Sequence, residues 1–179
     1  SLIFRNLLQF FYPYLGCHRL EQQRSSEEFI TNNMYDKVKE MLVRHEGLMC
    51  TLYECTAEPP RTSIGVGRNL TDNGISEDEA MYLLENDIDR VIKNLDKHWA
   101  VWRSFPEKAQ MVCIDLVFNL GINGFMNFRR TRALMEMGMW LQASEELLDS
   151  RYHVQLPNRS SYNSRQLALC TKDGKENIG

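Results

Sequence analysis

Ser63-Ile64-Gly65-Val66-Gly67-Arg68-Asn69-Leu70 is the stretch on which the fold turns. Ile64 and Val66 alternate with glycines, the period-two pattern of a short strand running into a tight turn. With the short apolar pieces from Leu48 onward and the Pro59-Pro60 pair, it makes 48–70 a small β-hairpin or meander. No other stretch reads as strand. Just before it, Val38, Met41, Leu42 and His45 recur at helical spacing behind Asn32 and Asn33, which predicts an amphipathic helix over 34–46 that Gly47 can end. Just after it, Ser76-Glu77-Asp78-Glu79 is a capping box, opening a helix whose stripe is Met81, Leu84, Ile88, Val91, Ile92 and Leu95. Pro106 fits the first turn of the next helix, through Met111, Ile114, Val117 and Phe118 to Gly121. Asn123-Gly124 marks a turn, and shorter helices follow over 127–137, 140–149 and 159–170. The predicted fold class is therefore α+β, a small β lobe joined to a larger all-helical lobe.

At 179 residues, and roughly 150 residues per domain, the chain predicts one domain. Lys plus Arg is 21 against 24 Asp plus Glu, a net charge of −3, so no positive field favours nucleic acid. Cys17, Cys50, Cys55, Cys113 and Cys170 form no CxxC pair, and His18, His45, His98 and His153 share no ligand spacing. No metal and no cofactor is expected. Trp99 and Trp102 read as core residues, and Arg129-Arg130-Arg132 as a solvated helix face. Residues 1–33 differ from the rest: the apolar run Leu2–Leu15 is broken by Arg5, Asn6, Gln9 and Pro13 and is shorter than the roughly 20 residues of a membrane span. It reads as a docked or extending helix, with a damaged signal segment or an interfacial membrane anchor as alternatives. The expected organisation is an extension over 1–33, a domain over 34–170 and a frayed tail over 171–179.

The chemistry-bearing stretch is Arg44-His45-Glu46-Gly47-Leu48, followed by Tyr53-Glu54-Cys55-Thr56. Glu46 ends a predicted helix and faces the β region, and such junctions are where clefts form. A carboxyl shielded there by Leu48 and Leu52 would have its charged form disfavoured and could act as a general acid.

From about Met34 to Cys170 the chain resembles the phage-type lysozymes. The match consists of Glu46, eight intervening residues and Cys55; then Ile64-Gly65-Val66-Gly67; Val117-Phe118-Asn119-Leu120-Gly121; Ser150-Arg151-Tyr152; and Leu156-Pro157-Asn158-Arg159. The resemblance implies a lysozyme-like fold and cleavage of the bond between N-acetylmuramic acid and N-acetylglucosamine in peptidoglycan. It makes Glu46 the general acid and puts Cys55 in the second catalytic position, where most relatives carry Asp. A thiol of ordinary pKa, about 8.5, is only a few per cent ionised at neutral pH, so a cation such as Arg61 or Arg68 would be needed to activate it. Ser63, behind Thr62, stands where the family has a water-positioning Thr, and Glu58-Pro59-Pro60 lengthens the interval before it. Asn119, Thr62 and Arg159 are the implied substrate contacts, Arg159 being also the expected partner of Glu46.

Some relatives hold such a Cys in a disulfide until an N-terminal segment is released, for which Cys17, Cys50 and Cys55 would supply the thiols. The implied protein is a monomeric wall-degrading enzyme of the periplasm or cell exterior, made in the host cytoplasm if phage-encoded. A lytic transglycosylase, or a binder of peptidoglycan without activity, is the alternative.

Overall fold

A computed structural model describes residues 33–55 and 59–170. The expectations for the N-terminal extension, Cys17 and the C-terminal tail lie outside these residues. Two compact units divide the chain, 1–75 and 76–179.

In the first unit, helix α1 spans 33–46 and Gly47 ends it, with φ +77° and its N–H donating to the Val43 carbonyl at 2.9 Å. Left-handed geometry at this position costs glycine nothing. The chain then forms strands β1 (Met49–Cys55), β2 (Arg61–Gly65) and β3 (Arg68–Asn69), an antiparallel sheet in the order β1-β2-β3. The hairpin or meander expected here is thus a three-stranded sheet. Helix α2 (Leu70–Asn73), which sequence reading had not separated, follows at once. Its cap is Asn69, whose side-chain oxygen accepts from the Asp72 N–H at 3.1 Å.

The second unit opens with α3 (Glu77–Trp99) behind the expected capping box: Ser76 N–H donates to Glu79 Oε2 at 2.7 Å, and Glu79 N–H to Ser76 Oγ at 3.2 Å. The predicted stripe is buried only toward its end, at Val91 and Leu95, and Trp99 continues it. Met81 and Leu84 are exposed. A 3-10 turn (Ala100–Ser104) leads to α4 (Glu107–Met126), with Pro106 as its N-cap. Gly121 breaks α4 as expected, with φ 69° and ψ 165°. Asn123-Gly124, however, is no turn: it lies within the helical segment beyond the break. Gly124 serves close packing there, since a Cβ on it would come within 2.9 Å of Leu120 Cβ.

Helices α5 (Arg129–Glu136), α6 (Trp140–Leu148), α7 (Arg151–Gln155) and α8 (Pro157–Ala168) complete the unit. The sequence had not resolved α7, whose cap is Ser150, and α8 starts at Pro157 rather than at 159. By length and composition α4 could cross a membrane, but Ala109, Val112, Cys113, Leu116, Val117 and Phe125 on it are buried. They pack with Leu95, Trp102, Met135, Leu147 and Leu167 as the core. Both tryptophans are in it as expected, Trp102 donating its indole N–H to Asp96 Oδ1 at 2.9 Å and Trp99 standing edge-on to Phe105 and Phe125. Burial pushes the Cys113 thiol well above its ordinary pKa, so it stays protonated.

Candidate active site

Glu46 is the last residue of α1, and the glycine turn between β2 and β3 packs on its side chain. A Cβ built on Gly67 would lie 3.3 Å from Glu46 Oε2 and 3.6 Å from its Cδ and Cγ. Gly67 also has φ +70°, and this turn conformation is what asks for glycine; the exposed Glu46 carboxyl could give way to a Cβ by a few tenths of an ångström. The helix end therefore does face the β region. The apolar shielding expected around Glu46 is not supplied by Leu48 and Leu52, which are 61% and 63% exposed; Glu46 is itself exposed.

Strand register fixes what shares a side with Cys55. Cys55 is opposite Arg61, Tyr53 opposite Ser63, and Ser63 opposite Asn69, whereas Glu54 pairs with Thr62 and Ile64 with Arg68. Directly opposed residues point to the same face and neighbours along a strand alternate. Cys55, Arg61, Ser63 and Asn69 consequently occupy one face, and Thr62 the other. Cys55 and Ser63 are diagonal neighbours, a relation that puts residues about 7–8 Å apart. Cys55 is half-buried, and Ser63 is buried.

Of the two cations expected near the thiol, Arg61 lies opposite it in register, but its guanidinium is ion-paired with Asp72, which also accepts from Asn69 Nδ2 at 2.8 Å. Arg68 belongs to the other face, and its Nε and Nη2 donate to the Gly74 carbonyl at 3.1 and 2.9 Å. The Thr62 N–H donates to Thr71 Oγ1 at 3.0 Å, so α2 holds β2 by both a side chain and a main-chain group.

In the helical unit, Asn119 is exposed on α4, two residues before the Gly121 break. Arg159, on α8, pairs with Asp115 of α4: Nε donates to its two oxygens at 3.1 and 3.0 Å, and Nη2 to Oδ1 at 2.6 Å. Asp115 Oδ2 also accepts from Asn163 Nδ2 at 2.6 Å, and Asn163 reaches the Tyr152 hydroxyl at 3.4 Å. Hydrogen bonding to Asp115 raises the pKa of Arg159, while burial first and the Asp115 charge second raise that of Tyr152. Arg159 was expected to be a partner of Glu46; within its own unit its carboxylate is Asp115. Sequence reading passed over Asp115, although a lone acid on a helix bearing Val112, Cys113, Leu116 and Val117 signals a buried partner.

The other polar features are local. His98 bonds the Asn94 carbonyl at 2.9 Å and His153 the Ser160 hydroxyl at 2.6 Å, Arg130 Nε pairs with Glu146 Oε2 at 3.1 Å, and Arg132 Nη2 donates to the Met126 carbonyl. Among the described residues no group of three or more His, Cys, Asp and Glu could hold a metal ion.

The chain matches the phage lysozyme family over residues 43–160. It is 30% identical over 148 residues to the pre-baseplate central spike protein of Enterobacteria phage T4, covering 68% of this chain and 26% of that protein. Two proteins of Dictyostelium discoideum also match. The probable T4-type lysozyme 1 is 27% identical over 90 residues, covering 49% of this chain and 53% of its own length. The probable T4-type lysozyme 2 is 24% identical over 158 residues, covering 72% and 91%. The chain thus spans about a quarter and about half of the first two relatives. The family match holds Glu46, Cys55, Ser63, Asn119 and Arg159 in one segment, and the chain belongs to the phage lysozyme family.

Proposed function

We propose that the protein is a muramidase that hydrolyses the glycosidic bond between N-acetylmuramic acid and N-acetylglucosamine in bacterial peptidoglycan, acting at the cell wall. The observation that carries this reading is the Glu46 carboxyl against the Gly67 turn at the end of α1, in a unit whose sheet has Cys55 and Ser63 on one face.

Glu46 gives its proton to the glycosidic oxygen as the bond to the anomeric carbon breaks. A water attacks that carbon, its proton passing to the Cys55 thiolate while the Ser63 hydroxyl orients it. Asn119 and Arg159 contact the saccharide. Glu46→Gln keeps the shape of the side chain and removes the transferable proton. It should lower the release of reducing ends from purified peptidoglycan by roughly 10²–10⁴-fold. Equal release by the wild type and this variant would overturn the reading.

One observation favours a second reading, lytic transglycosylation, which needs no base for water: Asp72 neutralises Arg61, the cation opposite Cys55. The same digest separates the two, since hydrolysis leaves reducing ends and transglycosylation leaves anhydro ends. A family member that binds peptidoglycan without cleaving it would release neither.

A further inference from the structure

We propose that Asp115 is the positioning residue for Arg159, holding one edge of its guanidinium so that the other edge is offered to the saccharide. The inference rests on the muramidase reading for the identity of the ligand, but its geometry lies wholly within the helical unit. Asp115 takes Nε and Nη2, whereas Nη1 has no hydrogen bond among the described residues. The Arg159 side chain is 37% exposed, so the held group remains reachable.

The carboxylate is itself fixed from behind. Asn163, 2% exposed, donates to Asp115 Oδ2, and it stands beside the equally enclosed Tyr152 hydroxyl. A guanidinium held by a two-point contact on an anchored carboxylate loses little further freedom when a ligand binds. An unanchored arginine would have to be ordered by the ligand itself.

An ion pair in such a place is a weak source of stability. Asp115 and Arg159 line a cavity of about 410 Å³ whose other walls are Leu84, Ile88, Met111, Ile114 and Phe118. Among such walls, apolar residues of similar volume generally stabilise as well as an ion pair or better. Direction is what the pair adds. Asn119 lies four residues beyond Asp115 on α4, one helical turn along the same face, so Asp115 brings Arg159 into register with the other proposed saccharide contact.

The test is cosedimentation with purified peptidoglycan sacculi, which needs no turnover, using the wild type, Asp115→Ala, Arg159→Ala and the double variant. Losing a well-placed charged hydrogen bond should weaken binding roughly tenfold or more in each single variant. The double variant should bind no more weakly than Arg159→Ala alone, and Asp115→Asn, which keeps an acceptor, should recover part of the loss. If Asp115→Ala does not fold by thermal melting, Asp115→Leu, matched to the apolar walls, replaces it. Wild-type binding by the Asp115 variants, or losses that multiply in the double variant, would overturn the proposal. So would a wild type that does not sediment with sacculi. Binding with the expected pattern but no release of sugar ends would defeat the muramidase reading alone.

Discussion

The two units are built on opposite principles. Among the described residues of 33–75, Ser63 alone is buried, whereas 76–170 holds a continuous core from Val91 to Cys170. The first unit is tied by polar clamps: Arg61 and Asn69 on Asp72, Thr62 on Thr71, and Arg68 on the Gly74 carbonyl. Exposed clamps of this kind contribute about 1 kcal/mol or less each, against about 1.5–3 kcal/mol for each large apolar side chain fully buried. The proposed acid, base and water-positioning groups therefore sit on the weakly cored unit, while the proposed saccharide contacts Asn119 and Arg159 sit on the well-cored one. Stability and bond-breaking chemistry should then be separable by substitution, and each experiment below is a way to make that separation fail.

Core truncation gives the largest effect. Leu116, fully enclosed on α4, should cost about 2–5 kcal/mol when changed to alanine, whereas Leu52, 63% exposed on β1, should change stability by about 0.5 kcal/mol or less. Urea titration of both variants measures this, and comparable losses would erase the contrast between the units. Glu46→Gln is the complementary control: it removes activity and should leave the urea midpoint where it was.

Gly121→Ala comes next. With φ 69° and ψ 165°, Gly121 occupies a region almost closed to other residues, and a Cβ there meets nothing within 4 Å. Any cost is thus backbone strain rather than collision, about 1–3 kcal/mol by the same titration. An unchanged midpoint would mean that the break in α4 can be straightened and is no fixed part of the helical unit.

The same division explains how much was legible beforehand. Signals written in a few adjacent residues were readable: the capping box at Ser76, the stop at Gly47, the break at Gly121 and the paired glycines at 65 and 67. The strand β1 was harder to separate because its first four residues are all exposed and period-two alternation shows only over Tyr53-Glu54-Cys55. The apolar stripe overstates burial in the first half of α3, where Met81 and Leu84 are apolar yet exposed. In the candidate site, Glu46, Cys55 and Ser63 are named through the family resemblance, not through spacing by itself. That Ser63 shares a face with Cys55 and Thr62 does not depends on strand register. The Asp115–Arg159 pair joins residues 44 apart, a distance at which no local pattern speaks.

The smallest effect concerns acid. Hydrogen bonds from Arg103 hold the Asp96 carboxyl below its ordinary pKa, opposed by desolvation and helped by the Trp102 indole N–H. A carboxylate whose pKa is lowered by folding adds stability that is fully present above its unfolded value, about 4, and is lost as pH falls through the folded one. The pair is solvent-exposed, so the contribution is small. Trp99, Trp102 and Trp140 are the three tryptophans of the chain, so their fluorescence reports the helical unit without the other. Melting followed by this signal should place Asp96→Asn slightly below the wild type at pH 7, with the gap closing as pH falls below about 4. A gap that stays constant on acidification would show that the charge of Asp96 plays no part, leaving only the shape of its hydrogen bonds to Arg103 and Trp102 to support the start of the core.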